Sequence, residues 1–83
     1  MSAPVTIENC WMAVSVEANG DEGVCAIMVG NTWMPLIAAD RARLSFVEEQ
    51  AQMLADQLPT KTFKIIRLTD RNVIRTVKAR TTQ

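Results

Sequence analysis

The sequence contains no histidine and no tyrosine among its 83 residues. Histidine is the usual side chain for acid–base catalysis near neutral pH, so the commonest catalytic machinery is absent. Cysteine is scarce as well, and either Cys10 or Cys25 could act as a nucleophile only with a base beside it. A cysteine-dependent enzyme is therefore the least favoured class of function, and we expect no catalytic residues.

The shortage of metal-binding side chains also argues against the common metal and cofactor sites. Without histidine and with two separated cysteines, no first-row metal site is indicated, and no glycine-rich loop for binding phosphate is present. We therefore expect no metal and no cofactor. If the chain forms a hairpin that turns near Asp21, Cys25 lies opposite Glu17 and about 23 Å from Cys10. That separation is too large for a disulfide, so two free, buried thiols are expected.

Long apolar runs are missing too. The longest uncharged run, residues 24–39, is too short to span a bilayer and is interrupted by Gly30, Asn31 and Pro35. The first residues lack the basic start and the long apolar stretch of a signal peptide. These features predict a cytoplasmic protein with no membrane partner.

Basic residues are absent from the first 40 positions, and this is the most informative absence. Those positions hold five acids, Glu8, Glu17, Asp21, Glu22 and Asp40. Residues 61–83 instead hold seven basic residues and the single acid Asp70. A formal net charge of zero thus conceals a strongly acidic half and a strongly basic tail. This asymmetry predicts either an electrostatic match within the fold or a surface that attracts a charged partner.

The first 40 residues also carry three strand signals. In residues 10–18 the even positions, from Cys10 to Ala18, are all apolar, whereas the odd positions are mixed and include Trp11. This alternation predicts a strand with one buried face. Residues 19–23 are rich in turn formers, and the apolar run 24–29 predicts a second strand. A third strand is predicted over 33–38, where Pro35 indicates an edge or a bulge.

A helix is predicted over residues 41–58. Asp40 is a suitable N-cap, and Leu58-Pro59 ends the pattern because the residue before proline is disfavoured in helical geometry. Between them, apolar residues recur at alternating spacings of three and four, at Leu44, Val47, Ala51, Leu54 and Leu58. This stripe is typical of a helix packed on a core.

Two more strands are predicted, over 61–68 and 73–79, with a turn at 69–72. The order is then βββαββ, which predicts a single α+β domain over residues 1–83. One antiparallel sheet would carry the amphipathic helix across one face. Residues 1–5 and 80–83 are expected to fray.

The basic C-terminal hairpin is one candidate binding surface. Two-stranded ribbons can enter a DNA major groove, and the candidate nucleic-acid contacts are Arg67, Arg71, Arg75, Lys78 and Arg80. Against this, the whole chain is neutral and both tryptophans, which could stack on bases, lie in the acidic half. The alternative is that these basic residues line a solvent-exposed strand pair or offset acidic residues within the fold.

An apolar helix patch is the other candidate. Opposite the Leu44 stripe, Ala42, Phe46 and Met53 fall on one side of the helix, next to Gln50. Aromatic and methionine anchors with a polar rim are typical of protein interfaces. Trp11 is predicted to lie on the sheet face away from the helix, where it would need a cover, while the position of Trp33 stays open.

The leading hypothesis is therefore a small non-catalytic interaction protein. It would act by self-association, as a homodimer or larger oligomer, by docking on a larger protein, or by both. Small accessory proteins and inhibitors, including many encoded by mobile elements, work in this way. A nucleic-acid-binding module is the alternative from another class.

Overall fold

The protein is α+β, as predicted, but it contains two antiparallel sheets where the sequence predicts one. The computed structural model describes residues 3–80. Its elements in chain order are β1 (Cys10–Val16), β2 (Glu22–Val24), β3 (Ala26–Val29), β4 (Thr32–Pro35), β5 (Ile37–Ala38), α1 (Arg41–Gln57) and β6 (Thr62–Leu68). The expected fraying falls partly on residues 1–2 and 81–83, which lie outside the described residues. No helix in residues 3–80 is long and apolar enough to cross a membrane.

Strand β1 is the centre of a four-stranded sheet. On one side it pairs along its whole length with β6, from Cys10 opposite Leu68 to Val16 opposite Thr62. On the other side it pairs with β2 near its end, where Val14 lies opposite Val24, and with β5 near its start. Because β2 and β5 run in the same direction along the same side of β1, they act as two halves of one edge strand.

The second sheet is a hairpin inserted between these two halves. Strands β3 and β4 pair with Ala26 opposite Pro35 and turn at Gly30, whose φ is 61°. At the base, Cys25 N donates to Ala13 O at 2.9 Å, and Ala13 N donates to Leu36 O at 3.0 Å. The predicted strands 24–29 and 33–38 are therefore interrupted at Cys25 and Leu36, where the chain leaves the ladder of β1.

The turn between β1 and β2 lies earlier than predicted. Glu17 N donates to Asp21 O at 2.8 Å, and Gly20 has a positive φ of 94°. This turn is centred near residue 19, so Cys25 lies opposite Ala13 and not opposite Glu17. Both cysteines are free thiols.

The helix begins and ends close to the predicted bounds. Asp40 is the N-cap, because its Oδ1 accepts a hydrogen bond from Arg43 N at 2.8 Å. Val47 and Ala51 are buried, while Leu44 and Leu54 pack partly against the core. Leu58, the last residue of the predicted stripe, follows the helix and is 43% exposed.

The core lies between α1 and one face of the four-stranded sheet. Its buried members are Ala13, Cys25, Leu36, Ala38, Val47 and Ala51. Trp11 and Phe63 pack against them, so the helix covers the odd-numbered positions of β1. The prediction that Trp11 faces away from the helix is wrong. The reason is size: alanines in β1, in β5 and in α1 allow the helix and sheet to approach closely, although the even positions of β1 carry the larger apolar side chains.

The region predicted to be the last strand has no regular structure. Residues 69–80, here called the C-terminal segment, form no strand or helix and are all exposed. A strand is stable only when its backbone groups are paired, and the free side of β6 is not paired with another strand of residues 3–80.

The described chain is extended for its size. Its radius of gyration is 16.5 Å, against about 12 Å for a compact domain of this length. Its accessible surface is 7116 Å², whereas a compact monomer of 9.2 kDa exposes about 4,900 Å². Residues 3–8 and 69–80, which are exposed and form no helix or strand, contribute to this excess of about 2,200 Å².

Candidate interaction surfaces

The face of the four-stranded sheet that points away from α1 is apolar and is called the open sheet face. Side chains directly opposite one another in a ladder lie on the same face, so the register defines its members. They are Cys10, Met12, Val14 and Val16 of β1, Val24 of β2, Ile37 of β5, and Ile66 and Leu68 of β6. Thr62, Lys64 and Glu22 lie on the same face.

The burial of these residues decreases from the centre of the face to its margin. Val14 is 2% exposed, although it does not belong to the core under α1. Around it, Val24 is 52%, Ile37 is 38% and Leu68 is 50% exposed. Lys64 of β6 lies directly opposite Val14, so the face has a tightly packed centre with one ammonium-bearing side chain beside it and a wide apolar margin in contact with solvent.

The helix patch predicted from the sequence is only partly formed. Ala42 and Met53 are exposed and Gln50 is half-buried. Phe46, however, packs against the core, and the Arg43 guanidinium lies 4.5 Å from the centre of its ring. The prediction that Phe46 faces outward is wrong because the helix lies beside the β3–β4 hairpin as well as on the sheet. Arg43 Nη2 also donates to Met34 Sδ of that hairpin at 3.0 Å.

Trp11 is likewise not a free anchor. It is half-buried against the core, and the Arg41 guanidinium lies 6.0 Å from the centre of its ring. An arginine at this distance is within range of a cation–π contact. Trp11 therefore stabilises the start of α1 on the sheet.

The β3–β4 hairpin presents a second exposed surface, and this one contains an aromatic residue. Met28 and Trp33 are paired across the hairpin and are 50% and 65% exposed. On the other face of the hairpin, Ile27 and Met34 are half-buried, and Ile27 packs against the core. Trp33 had no predicted face; the alternation on either side of Gly30-Asn31 is the signal in the sequence that places it outward.

The basic residues predicted to contact nucleic acid are divided between two places. Arg67 lies in β6, opposite Trp11. The other four, Arg71, Arg75, Lys78 and Arg80, are in the C-terminal segment. None of the side-chain hydrogen bonds within residues 3–80 joins a basic side chain to a carboxylate. The charge asymmetry of the sequence is thus not neutralised by such contacts in the described chain.

Two shallow hollows border β6. One, of about 250 Å³, lies between α1 and β6 and is lined by Glu48, Ala51, Gln52, Ala55, Phe63 and Ile65; it is called the α1–β6 groove. The other, of about 340 Å³, lies where Leu68 meets the segment before β1, beside Cys10 and Arg71. The titratable side chain that lines the α1–β6 groove is Glu48, whereas the larger hollow is lined by Glu8, Cys10, Asp70 and Arg71 among other residues.

The two thiols differ in their surroundings. Burial raises the pKa of the Cys25 thiol, and the nearby Lys61 ammonium only partly opposes that effect. Since the thiolate is the nucleophile, Cys25 is poorly suited to catalysis. Within residues 3–80, no three His, Cys, Asp or Glu side chains are grouped to hold a metal ion.

We expect iodoacetamide to label Cys10 well before Cys25 at pH 7.5, because Cys10 is half-buried whereas Cys25 is 8% exposed and stays protonated. Peptide mass spectrometry after timed quenching measures both rates, and labelling in concentrated urea should make them similar. The raised pKa also means that the unfolded state loses this proton first as pH rises. Stability contributed by the protonated thiol is therefore present below the unfolded pKa and is lost above it. Rapid labelling of Cys25 in the folded protein would instead favour a reactive cysteine.

Comparisons with models of protein families, with curated proteins and with solved structures find no match for this chain. Function must therefore be inferred from its own surfaces.

Proposed function

We propose that this protein is a non-catalytic interaction protein that self-associates through the open sheet face. In the resulting homodimer, the faces of two copies pack against each other, with α1 of each copy on the outside. Two sheets packed in this way lie about 10 Å apart, and their inward side chains form a shared core.

The observation that carries this proposal is the set of eight apolar side chains on one sheet face. A helix covers the opposite face and completes a two-layer core there, whereas no layer covers the open sheet face within residues 3–80. Large contiguous apolar surfaces on a folded protein usually mark interaction sites.

The dimer differs from the self-association predicted from the sequence in the surface that it uses. Phe46 and Trp11 contribute to the core under α1, so they do not form its centre. Met53 and Trp33 stay exposed and could support contacts with a larger protein. We retain a cytoplasmic location as part of this proposal, on the basis of the two free thiols.

The direct test is the mass of the unaltered chain in solution. Sedimentation equilibrium at micromolar concentrations should give twice the chain mass of 9.2 kDa, with dissociation only on dilution. A dimer of standard interface size with a Kd of about 1 μM corresponds to about 8 kcal/mol of binding free energy. A strict monomer at millimolar concentration would contradict the proposal.

A nucleic-acid-binding module is the second candidate, and one observation favours it. The C-terminal segment is exposed and basic, and no carboxylate accepts a hydrogen bond from its side chains within residues 3–80. It contains no aromatic residue on which bases could stack, and three of its exposed residues are Val73, Ile74 and Val77. These apolar side chains favour a protein partner.

A further inference from the structure

We propose that the C-terminal segment of one copy adds as a strand to the free edge of β6 in a second copy and fills the α1–β6 groove. This inference rests on the proposed self-association and assigns a second, separate contact to it. The occupant is thus a named part of this chain.

The segment has the composition of a strand but no partner. Residues 73–79 are rich in β-branched side chains, with Arg75 and Lys78 among them, and β-branched residues favour strands. Val73 is 63%, Ile74 is 90% and Val77 is 76% exposed. Full burial of such a side chain is favourable by about 1.5–3 kcal/mol of free energy relative to leaving it in water.

The receiving site has both requirements for strand addition. Strand β6 pairs with β1 alone among the described strands, so the backbone groups along its other edge are free. Edges of this kind are ready templates for another strand. Beside the edge, Ala51 and Ala55 of α1 face Phe63 and Ile65 across the groove. The small alanines leave room there for side chains of an added strand.

The charge of the α1 side of the groove is complementary to that of the segment, whereas β6 itself carries Lys64 and Arg67 and no acid. Residues 71–80 contain four basic and no acidic residues, whereas residues 44–57 of α1 contain three acidic and no basic residues. One of those acids, Glu48, lines the groove, and no basic residue does. In a strand, Val73, Arg75 and Val77 share one face, which would place two apolar side chains in the groove and Arg75 next to Glu48.

Residues 69–72 are long enough to let residues 73–79 turn back and pair with β6 of the same chain. In the structure, however, the segment does not pair with β6 of its own chain. The longest dimension of the described chain is 55 Å. Pairing of the segment with β6 of its own chain is the alternative, and the cross-linking experiment distinguishes it from exchange between copies.

A charge exchange tests the assigned contact in the full-length protein. Arg75→Glu and Glu48→Arg should each weaken the dimer about tenfold, and the double variant should restore most of the loss. Lys78→Glu, on the opposite face of the segment, is the matched control for the same change in charge and should weaken the dimer less. Sedimentation equilibrium provides the Kd values. The inference is contradicted if Arg75→Glu has no effect or if Glu48→Arg does not compensate for it.

Cross-linking distinguishes exchange from folding back. Chains with Cys10→Ser and Cys25→Ala would carry either Val77→Cys or Ala55→Cys, and the two kinds would be mixed and oxidised. Disulfide-linked heterodimers are expected. A chain carrying both new cysteines that cross-links only within itself would overturn the exchange. A wild-type dimer without heterodimer cross-links would refute this inference alone, whereas a monomeric wild type would refute the proposed function.

Nucleic acid is the remaining competitor for the segment. A labelled DNA duplex should bind weakly, at the level expected for any basic segment. Two results together would overturn the inference. The duplex would bind tightly, with a log affinity that falls by about 0.9 per phosphate contact for each unit of log salt concentration. Arg75→Glu would abolish this binding both alone and in combination with Glu48→Arg.

Discussion

Replacing Leu36 with alanine is expected to lower the free energy of unfolding by about 2–5 kcal/mol. Leu36 is fully buried, at 0% exposure, and lies at the base of the β3–β4 hairpin, where its backbone bonds to both Ala13 and Cys25. Truncation would leave a cavity between α1 and the sheet that the surrounding backbone cannot close. A domain has only about 0.05–0.15 kcal/mol of stability per residue, or roughly 4–12 kcal/mol for 83 residues, so the substitution would remove a large part of the total stability.

Urea denaturation followed by circular dichroism measures the effect, at one fixed protein concentration because association shifts apparent stability. Val5→Ala is the matched control, since that side chain is 99% exposed, lies outside both proposed contacts, and its loss should change the free energy of unfolding by less than about 0.5 kcal/mol. Equal effects of the two substitutions would show that the core is not where the structure places it.

Placing two lysines on the open sheet face, Ile37→Lys with Leu68→Lys, is expected to convert the dimer to a monomer. Both residues lie at the exposed margin of the face, at 38% and 50%, so the folded monomer can accept the charges. In the dimer the same ammonium groups would be buried without partners. An uncompensated buried charge costs about 3–5 kcal/mol, and even one such cost raises the Kd at least a hundredfold.

Light scattering at micromolar concentration should then give the mass of a single chain. Met53→Lys is the control, because Met53 is 49% exposed but lies on the helix. The helix patch inferred from the sequence would be the true interface if Met53→Lys dissociated the protein and the two lysines on the sheet did not.

The elements that the sequence predicts well depend on neighbouring residues. The helix follows from Asp40 and a stripe with a period of about 3.6, and both signals lie within the helix or next to it. The alternation of residues 10–18 similarly reveals β1. These signals are local, so they need no knowledge of the tertiary structure.

The face assignments depend on contacts between distant residues, which alternation alone cannot provide. Met12, Val14 and Val16 are larger than Ala13, so size alone favoured them as the core. The structure instead packs Ala13 against Ala51 and Ala38, where small side chains bring the helix close. Trp11 follows Ala13 onto that face, and the apolar even positions become the candidate interface.

The sequence also does not reveal the inserted hairpin or the unpaired segment. Residues 24–29 look like one strand because nothing local shows that Cys25 leaves the ladder beside Ala13. Residues 73–79 carry strand propensity without showing where a partner strand would come from. Propensity describes what a segment can form, whereas pairing decides whether it forms.

The inserted hairpin makes the length of this molecule adjustable. Cys25 and Leu36 are joined by a backbone hydrogen bond of 2.9 Å, so their Cα atoms are about 5.5 Å apart or less. One or two linking residues could therefore replace residues 26–35 and leave an uninterrupted margin along β1. Conversely, two residues added to each strand between the base and the Met28–Trp33 pair would carry Trp33 about 7 Å further out on the same face without disturbing the helix. Related chains could vary their reach at this point while keeping the same body.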